Sequence, residues 1–208
     1  MLMGLIVGCI MLVSFVYWCL DVKKGLYAGM TALVSWWAYL LLNCLGINFP
    51  MNAAGGCLAG GIALALGLFA GKRFGAFFTK GGLRGEMICY AALSFSMILY
   101  RPFTELVIPG GMILGLGAGY GLCKSYVHFS ASSRSGISGA VKYLILATRF
   151  LLGIAVFAAL FVITEKISGG MSHSANYRLI VFMRYALLAL WVSAGAPWLF
   201  RFARLAGA

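Results

Sequence analysis

Two asparagines four residues apart, Asn48 and Asn52, flank a Phe49-Pro50 pair between two apolar stretches. An amide there can donate to and accept from an anion. It carries no charge and is no nucleophile. Further along the chain, Arg101, Glu105, His173, Arg178 and Arg184 are polar groups that charge sorting places on the same side of the membrane as this pair. Arginines there could hold a phosphate or another anionic headgroup through bidentate bonds. The candidate headgroup-binding set is Asn48, Asn52, Arg101, His173 and Arg184. No spacing rule ties the five together, so ordinary loop residues are the competing reading. No residue is assigned a catalytic role. The six cysteines form neither a CxxC nor a Cys/His cluster, so no metal site and no cofactor is indicated.

Positioning these groups falls to membrane helices. The chain has 208 residues, 63% apolar and 10% charged, with a mean hydropathy of +1.00. That composition excludes an ordinary soluble domain and predicts an all-α polytopic membrane protein. Crossing a bilayer takes roughly 20 apolar residues per helix. Seven segments qualify, about 1–20, 25–47, 53–71, 86–100, 104–123, 143–164 and 179–199, the short fourth making the count six to seven. No linker or low-complexity tract divides the chain, so residues 1–208 read as a single integral membrane domain.

The formal charge of +12 follows the membrane and points away from nucleic acid. Alternating the loops puts Lys23, Lys24, Lys72, Arg73, Lys80, Arg84, Lys124, Arg134, Lys142, Arg201 and Arg204 on one face, against Arg101, Lys166 and Arg178 on the other. This positive-inside bias predicts a cytoplasmic C-terminus and, with seven spans, an external N-terminus. Basic loops beside anionic headgroups account for the charge, so the partners expected are membrane lipids, with other membrane subunits or a homo-oligomer as further possibilities. Asp21-Val22-Lys23-Lys24 directly after the first apolar stretch predicts an uncleaved first helix.

Of the 28 glycines, several fall inside predicted helices, as in Gly56-x-x-x-Gly60, Gly111-x-x-x-Gly115 and Gly117-x-x-x-Gly121. This small-xxx-small spacing predicts close helix packing; the Gly115-x-Gly117-x-Gly119 run has no preceding strand and is not read as a nucleotide loop. Two charges, Arg149 and Arg184, fall inside spans. Each lies about one and a half turns from an end, where snorkelling to the interface is favoured over a role in a site. Lys124–Lys142 and Glu165–Arg178 read as the two long polar loops, one cytoplasmic and one external.

The segment Leu45-Gly46-Ile47-Asn48-Phe49-Pro50-Met51-Asn52-Ala53-Ala54-Gly55-Gly56 resembles the last active-site motif of the type 2 phosphatidic acid phosphatases, the lipid phosphate phosphatase superfamily. That motif reads roughly S-R-x-x-L-G-V-H-F-P-x-D-x-x-x-G. Leu45, Gly46, Phe49, Pro50 and Gly56 match, while Asn48 and Asn52 replace the His and Asp, and Leu41 and Leu42 replace the Ser-Arg pair. Tyr17–Gly25, Lys124–Ser130, Arg184–Trp191 and Gly195–Phe200 are also similar to stretches of bacterial members with extra C-terminal helices. The resemblance implies a histidine nucleophile oriented by an aspartate, with lysine and arginines gripping the phosphate. Here the nucleophile and its aspartate are amides, and the K-x6-RP and PSGH motifs are not found upstream. Arg101-Pro102 comes after the Asn48 motif and has Ser94 in the lysine slot.

The expectation is a degenerate, truncated relative of these phosphatases in the bacterial inner (plasma) membrane, without their catalytic residues. It would bind a lipid headgroup or serve as a partner subunit. A small transporter or lipid-translocation component is the alternative, resting on Arg149, Arg184 and the glycine-rich fifth segment.

Overall fold

The computed structural model describes residues 10–44, 85, 87–97, 107–127, 129, 139–171 and 176–205. Six helices are seen among them, and no strand: α1 (Ile10–Leu20), α2 (Val22–Cys44), α3 (Met87–Met97), α4 (Val107–Val127), α5 (Gly139–Gly170) and α6 (Tyr177–Phe202). The all-helical expectation therefore holds over the described residues. By length and composition, Val107–Val127, Val141–Gly170 and Tyr177–Phe202 can cross a membrane. Among the described residues that makes three such helices, fewer than the seven expected. The segment 53–71 lies outside the described residues, and α1 and α3 are short apolar helices.

Glycine spacing makes α4 the centre of the bundle. A Cβ at Gly111 would collide with the Phe182 carbonyl, one at Gly115 with the Ala186 carbonyl, and one at Gly119 with Ser193 Oγ. These three positions, one turn apart, let the backbones of α4 and α6 touch. In lipid, where apolar burial gives no drive, such contact supplies packing and short polar bonds. Gly117 and Gly121 turn to another face and receive Tyr90 and Met87 of α3. The packing role expected of the glycine pairs in α4 is the one they fill. Ser94 of α3 is fully buried and donates to Gly110 O at 2.7 Å. By contrast, α5 lies at the periphery, with Leu144, Leu151, Val162, Ile163 and Ile167 all more than half exposed.

Pro197 explains how α1 is held. It has no N–H to give Ser193 O, and Ala196 N–H bonds to Trp191 O, opening a π turn over Trp191–Gly195. Two carbonyls are thereby freed. Trp18 Nε1 donates to Val192 O at 2.7 Å and Tyr17 OH to Ser193 O at 3.0 Å. Both rings are fully buried, and Trp18 lies across Gly153 of α5 and edge-on to Phe200.

The corner between α1 and α2 is a capped turn. Asp21 is extended (φ −157°, ψ 121°), and its Oδ1 accepts from the amides of Lys23 at 2.8 Å and Lys24 at 3.1 Å. This is N-capping by a carboxylate at the positive end of the helix dipole. Those amide bonds, Lys24's foremost, hold the Asp21 carboxyl below its ordinary pKa.

The loop expectation at 165–178 is corrected: α5 continues to Gly170 and α6 starts at Tyr177. Only 171–176 connect them. Glu165 and Lys166 stay helical because both residue types are good helix formers and Glu165 has a partner on α6; Gly169 and Gly170 end the helix. Similarly, the stretch expected as a loop at 124–142 is helical at both margins, through Val127 and from Gly139.

Candidate functional site

Two buried arginines mark two ends of the bundle, and their surroundings differ. Arg149 on α5 is fully buried, so the expectation that it snorkels is corrected. Its guanidinium reaches the end of α6, with Nε donating to Leu205 O at 2.9 Å and Nη2 to the same oxygen. It also sits over the Phe129 ring, 5.7 Å from the centroid. The end of α6 needs this support because Arg204 occupies the left-handed region at φ 55°. Leu205 N–H bonds to Phe200 O at 2.9 Å and Arg204 N–H to Arg201 O at 3.1 Å. That is a Schellman motif with arginine where glycine is usual. Arg201 in turn donates to Val127 O at the end of α4. Cations on helix C-terminal carbonyls oppose the dipole and satisfy orphan acceptors.

Arg184, on α6 at the opposite end, is also mostly buried: its side chain is 9% exposed, against 56% for its partner Glu165 on α5. The two form an ion pair, and Arg184 Nη1 donates to Ser168 Oγ at 3.2 Å. The guanidinium lies over Phe161 at 4.9 Å and Tyr185 at 5.2 Å, within cation–π range. Its Nε has no partner among the described residues. Lys166 and Arg178 stand on the neighbouring stretches of α5 and α6.

Phe161 and Tyr185 also line a partly open cavity of about 470 Å³ between α1, α2, α4, α5 and α6. Leu33, Met112, Leu116 and Leu188 form much of its wall. Ser14, Trp36 and Tyr185 are the lining residues with polar side-chain atoms; Ser14 is 1% exposed, and its buried hydroxyl has no partner among the described residues. The arrangement is a partly open apolar cavity, two of whose lining rings, Phe161 and Tyr185, also meet the Arg184 guanidinium.

Of the five residues singled out in the sequence, Arg184 is described and lies against these rings. Asn48, Asn52, Arg101 and His173 fall outside the described residues, as does Glu105. Sequence reasoning missed Glu165 and Ser168 as partners of Arg184. The signal was present: Glu165 and Arg184 stand nearly equidistant from the centre of the 171–176 connection, as facing residues in an antiparallel helix pair must. Among the described residues, no group of His, Cys, Asp and Glu could hold a metal ion. Cys19, Cys89 and Cys123 are unbridged.

Residues 107–208 match the family model of the PAP2 superfamily phosphatase, transmembrane extension. The matched region takes in α4, α5 and α6, with both arginines, and just under half of the chain. It leaves out the Leu45–Gly56 segment that carries the active-site resemblance. No curated protein and no solved structure matches the chain. On the strength of α4 to α6, the chain is a relative of the PAP2 superfamily of phosphatases.

Proposed function

We propose that the chain is a non-catalytic, multi-pass membrane protein that binds anionic lipid headgroups at the end of the bundle marked by Arg184. The observation that carries this reading is the Arg184 guanidinium, nine-tenths buried against two aromatic rings that also line an apolar cavity. A buried cation costs free energy in a membrane and earns retention mainly by function or by pairing. Its carboxylate partner among the described residues, Glu165, is more than half exposed. Asn48, Asn52, Arg101 and His173 complete the proposed headgroup site, the two amides contributing hydrogen bonds without nucleophilic chemistry.

In this reading the protein sits in a bacterial inner membrane with about seven helices, its N-terminus outside and its C-terminus cytoplasmic. The headgroup site then faces outward. A role as partner subunit in a larger membrane complex is compatible with it. The transporter alternative draws on Arg149 and Arg184; Arg149 is committed to the end of α6, and no further observation favours this alternative.

Loss of catalysis is tested by phosphate release from phosphatidic acid in lipid nanodiscs containing the purified chain. The expected rate equals that of empty discs. Release that disappears on Asn48→Ala would overturn the non-catalytic reading.

A further inference from the structure

We propose that the end of the bundle where α4 and α6 finish is a collar that gathers anionic phospholipid headgroups from the adjoining leaflet, on a surface separate from the Arg184 site. Three contacts bring the helix ends together there. Arg149 of α5 reaches Leu205 O just past α6, and Arg201 of α6 reaches Val127 O at the end of α4. Cys19 Sγ, beside the corner between α1 and α2, donates to Leu146 O of α5 at 3.7 Å.

Exposed aromatic rings concentrate at this end. Tyr27, Tyr126, Tyr143 and Trp198 are each more than half exposed, and among the described residues no other Tyr or Trp is exposed. They come one each from α2, α4, α5 and α6, and each lies within about 8 Å of its helix end. Phe202, 77% exposed, stacks on Trp198 with ring centroids 5.9 Å apart. Rings with an apolar body and a polar tip settle where hydrocarbon gives way to headgroups. One such ring on each of four helices sets this end level with that boundary.

Six exposed cations stand beside the rings: Lys23, Lys24, Lys124, Lys142, Arg201 and Arg204. Among the described residues no salt bridge reaches any of them, and the Arg184–Glu165 pair lies at the other end. Asp21, the acidic residue described at this end, is turned onto the Lys23 and Lys24 amides. A cationic surface at headgroup depth is complementary to phosphates that carry net negative charge. A zwitterionic headgroup offers the same phosphate but brings its own cation, so the collar discriminates between the two. The rings favour lipid over an acidic soluble protein as the occupant, because side chains at that depth face acyl chains and headgroups. Lipids on so open a surface exchange with the bilayer, so the test is made in vesicles.

Trp198 is the reporter. The full chain is reconstituted in vesicles of equal parts phosphatidylglycerol and phosphatidylcholine, with one or the other lipid brominated near its headgroup. Subtracting the fluorescence of Trp198→Phe isolates the quenching at Trp198. Brominated phosphatidylglycerol should quench it roughly twofold or more over brominated phosphatidylcholine. The preference should vanish at about 1 M salt, where screening acts within about 3 Å. Combining Lys23→Gln, Lys24→Gln, Lys124→Gln and Lys142→Gln should bring the two lipids close to equality, while Arg184→Gln leaves the preference unchanged. Equal quenching in wild type would overturn the proposal. So would a preference that survives the fourfold exchange, or one lost in Arg184→Gln. Should the fourfold variant fail to fold, the salt response of wild type decides, and a preference unchanged at high salt overturns the collar. The two readings fail separately, since loss of the collar leaves the buried Arg184 site, read by retention in detergent, standing.

Discussion

The two ends of the bundle each bury an arginine, and they use it differently. At one end Arg149 is wholly enclosed and spends its donors on the last carbonyl of the α6 turn. At the other, Arg184 shares its charge with a half-exposed glutamate and presents one face to aromatic rings that also line a cavity. An intramembrane cation is a functional candidate by default, and here the default divides. Arg149 closes a helix end, whereas Arg184 has chemistry left over. What distinguishes them is their surroundings more than depth: Arg149 meets the Leu205 carbonyl and the Phe129 ring, whereas the two rings against Arg184 also line a cavity.

Substitutions can break or sharpen this contrast. The largest effect should come from the framework that both ends share. Gly115→Val drives a side chain into the Ala186 carbonyl and should cost about 3 kcal/mol or more, read as a lowered unfolding midpoint in detergent with loss at both ends. Arg149→Met should come next, at about 2 kcal/mol, because it leaves Leu205 O without its buried donor. Its effect should localise to the end of α6, as faster amide exchange there, and spare the α5–α6 connection. Breaking the Arg184–Glu165 pair should cost less. A double-mutant cycle with Arg184→Gln and Glu165→Gln should return a coupling of about 1 kcal/mol or below, weakened by salt because Glu165 is exposed.

Two smaller effects test local geometry. Arg204→Gly relieves a left-handed residue and should stabilise the chain by up to about 1 kcal/mol, less in an Arg149→Met background where that turn is already loose. Asp21 carries a carboxyl whose pKa is lowered in the fold, chiefly by the Lys24 amide. A lowered folded pKa gives stability that is complete above the ordinary aspartate value of about 4. That stability is lost as pH falls through the depressed value. An acid titration of the folded chain should show this loss, and Asp21→Asn should flatten it.

Parts of this arrangement are legible in the sequence. Glycines at turn spacing in 107–127 announce a helix that others approach closely, and α4 is that helix. Pro197 inside an apolar run signals a disturbed helix, though not which groups would use the freed carbonyls; Trp18 and Tyr17 are more than 170 residues away. The target of Arg149 was hidden for the same reason, since a backbone carbonyl 56 residues distant leaves no mark in residue type. The span from Glu165 to Arg178 was read as a loop because its polar composition outweighed the symmetry that pairs Glu165 with Arg184 across a short connection. The cavity was invisible because its walls are apolar residues of five helices, indistinguishable in sequence from residues that meet lipid or each other.

The account stands most directly on whether Arg184 and Arg149 differ in ligand binding. Retention of an anionic phospholipid, relative to a zwitterionic one of the same chains, can be measured for wild type, Arg184→Gln and Arg149→Met in the same detergent. Arg184→Gln should lower anionic preference by roughly tenfold, the worth of a charged hydrogen bond, while Arg149→Met, though less stable, keeps the wild-type preference. Equal preference in wild type and Arg184→Gln, or a loss confined to Arg149→Met, would contradict it.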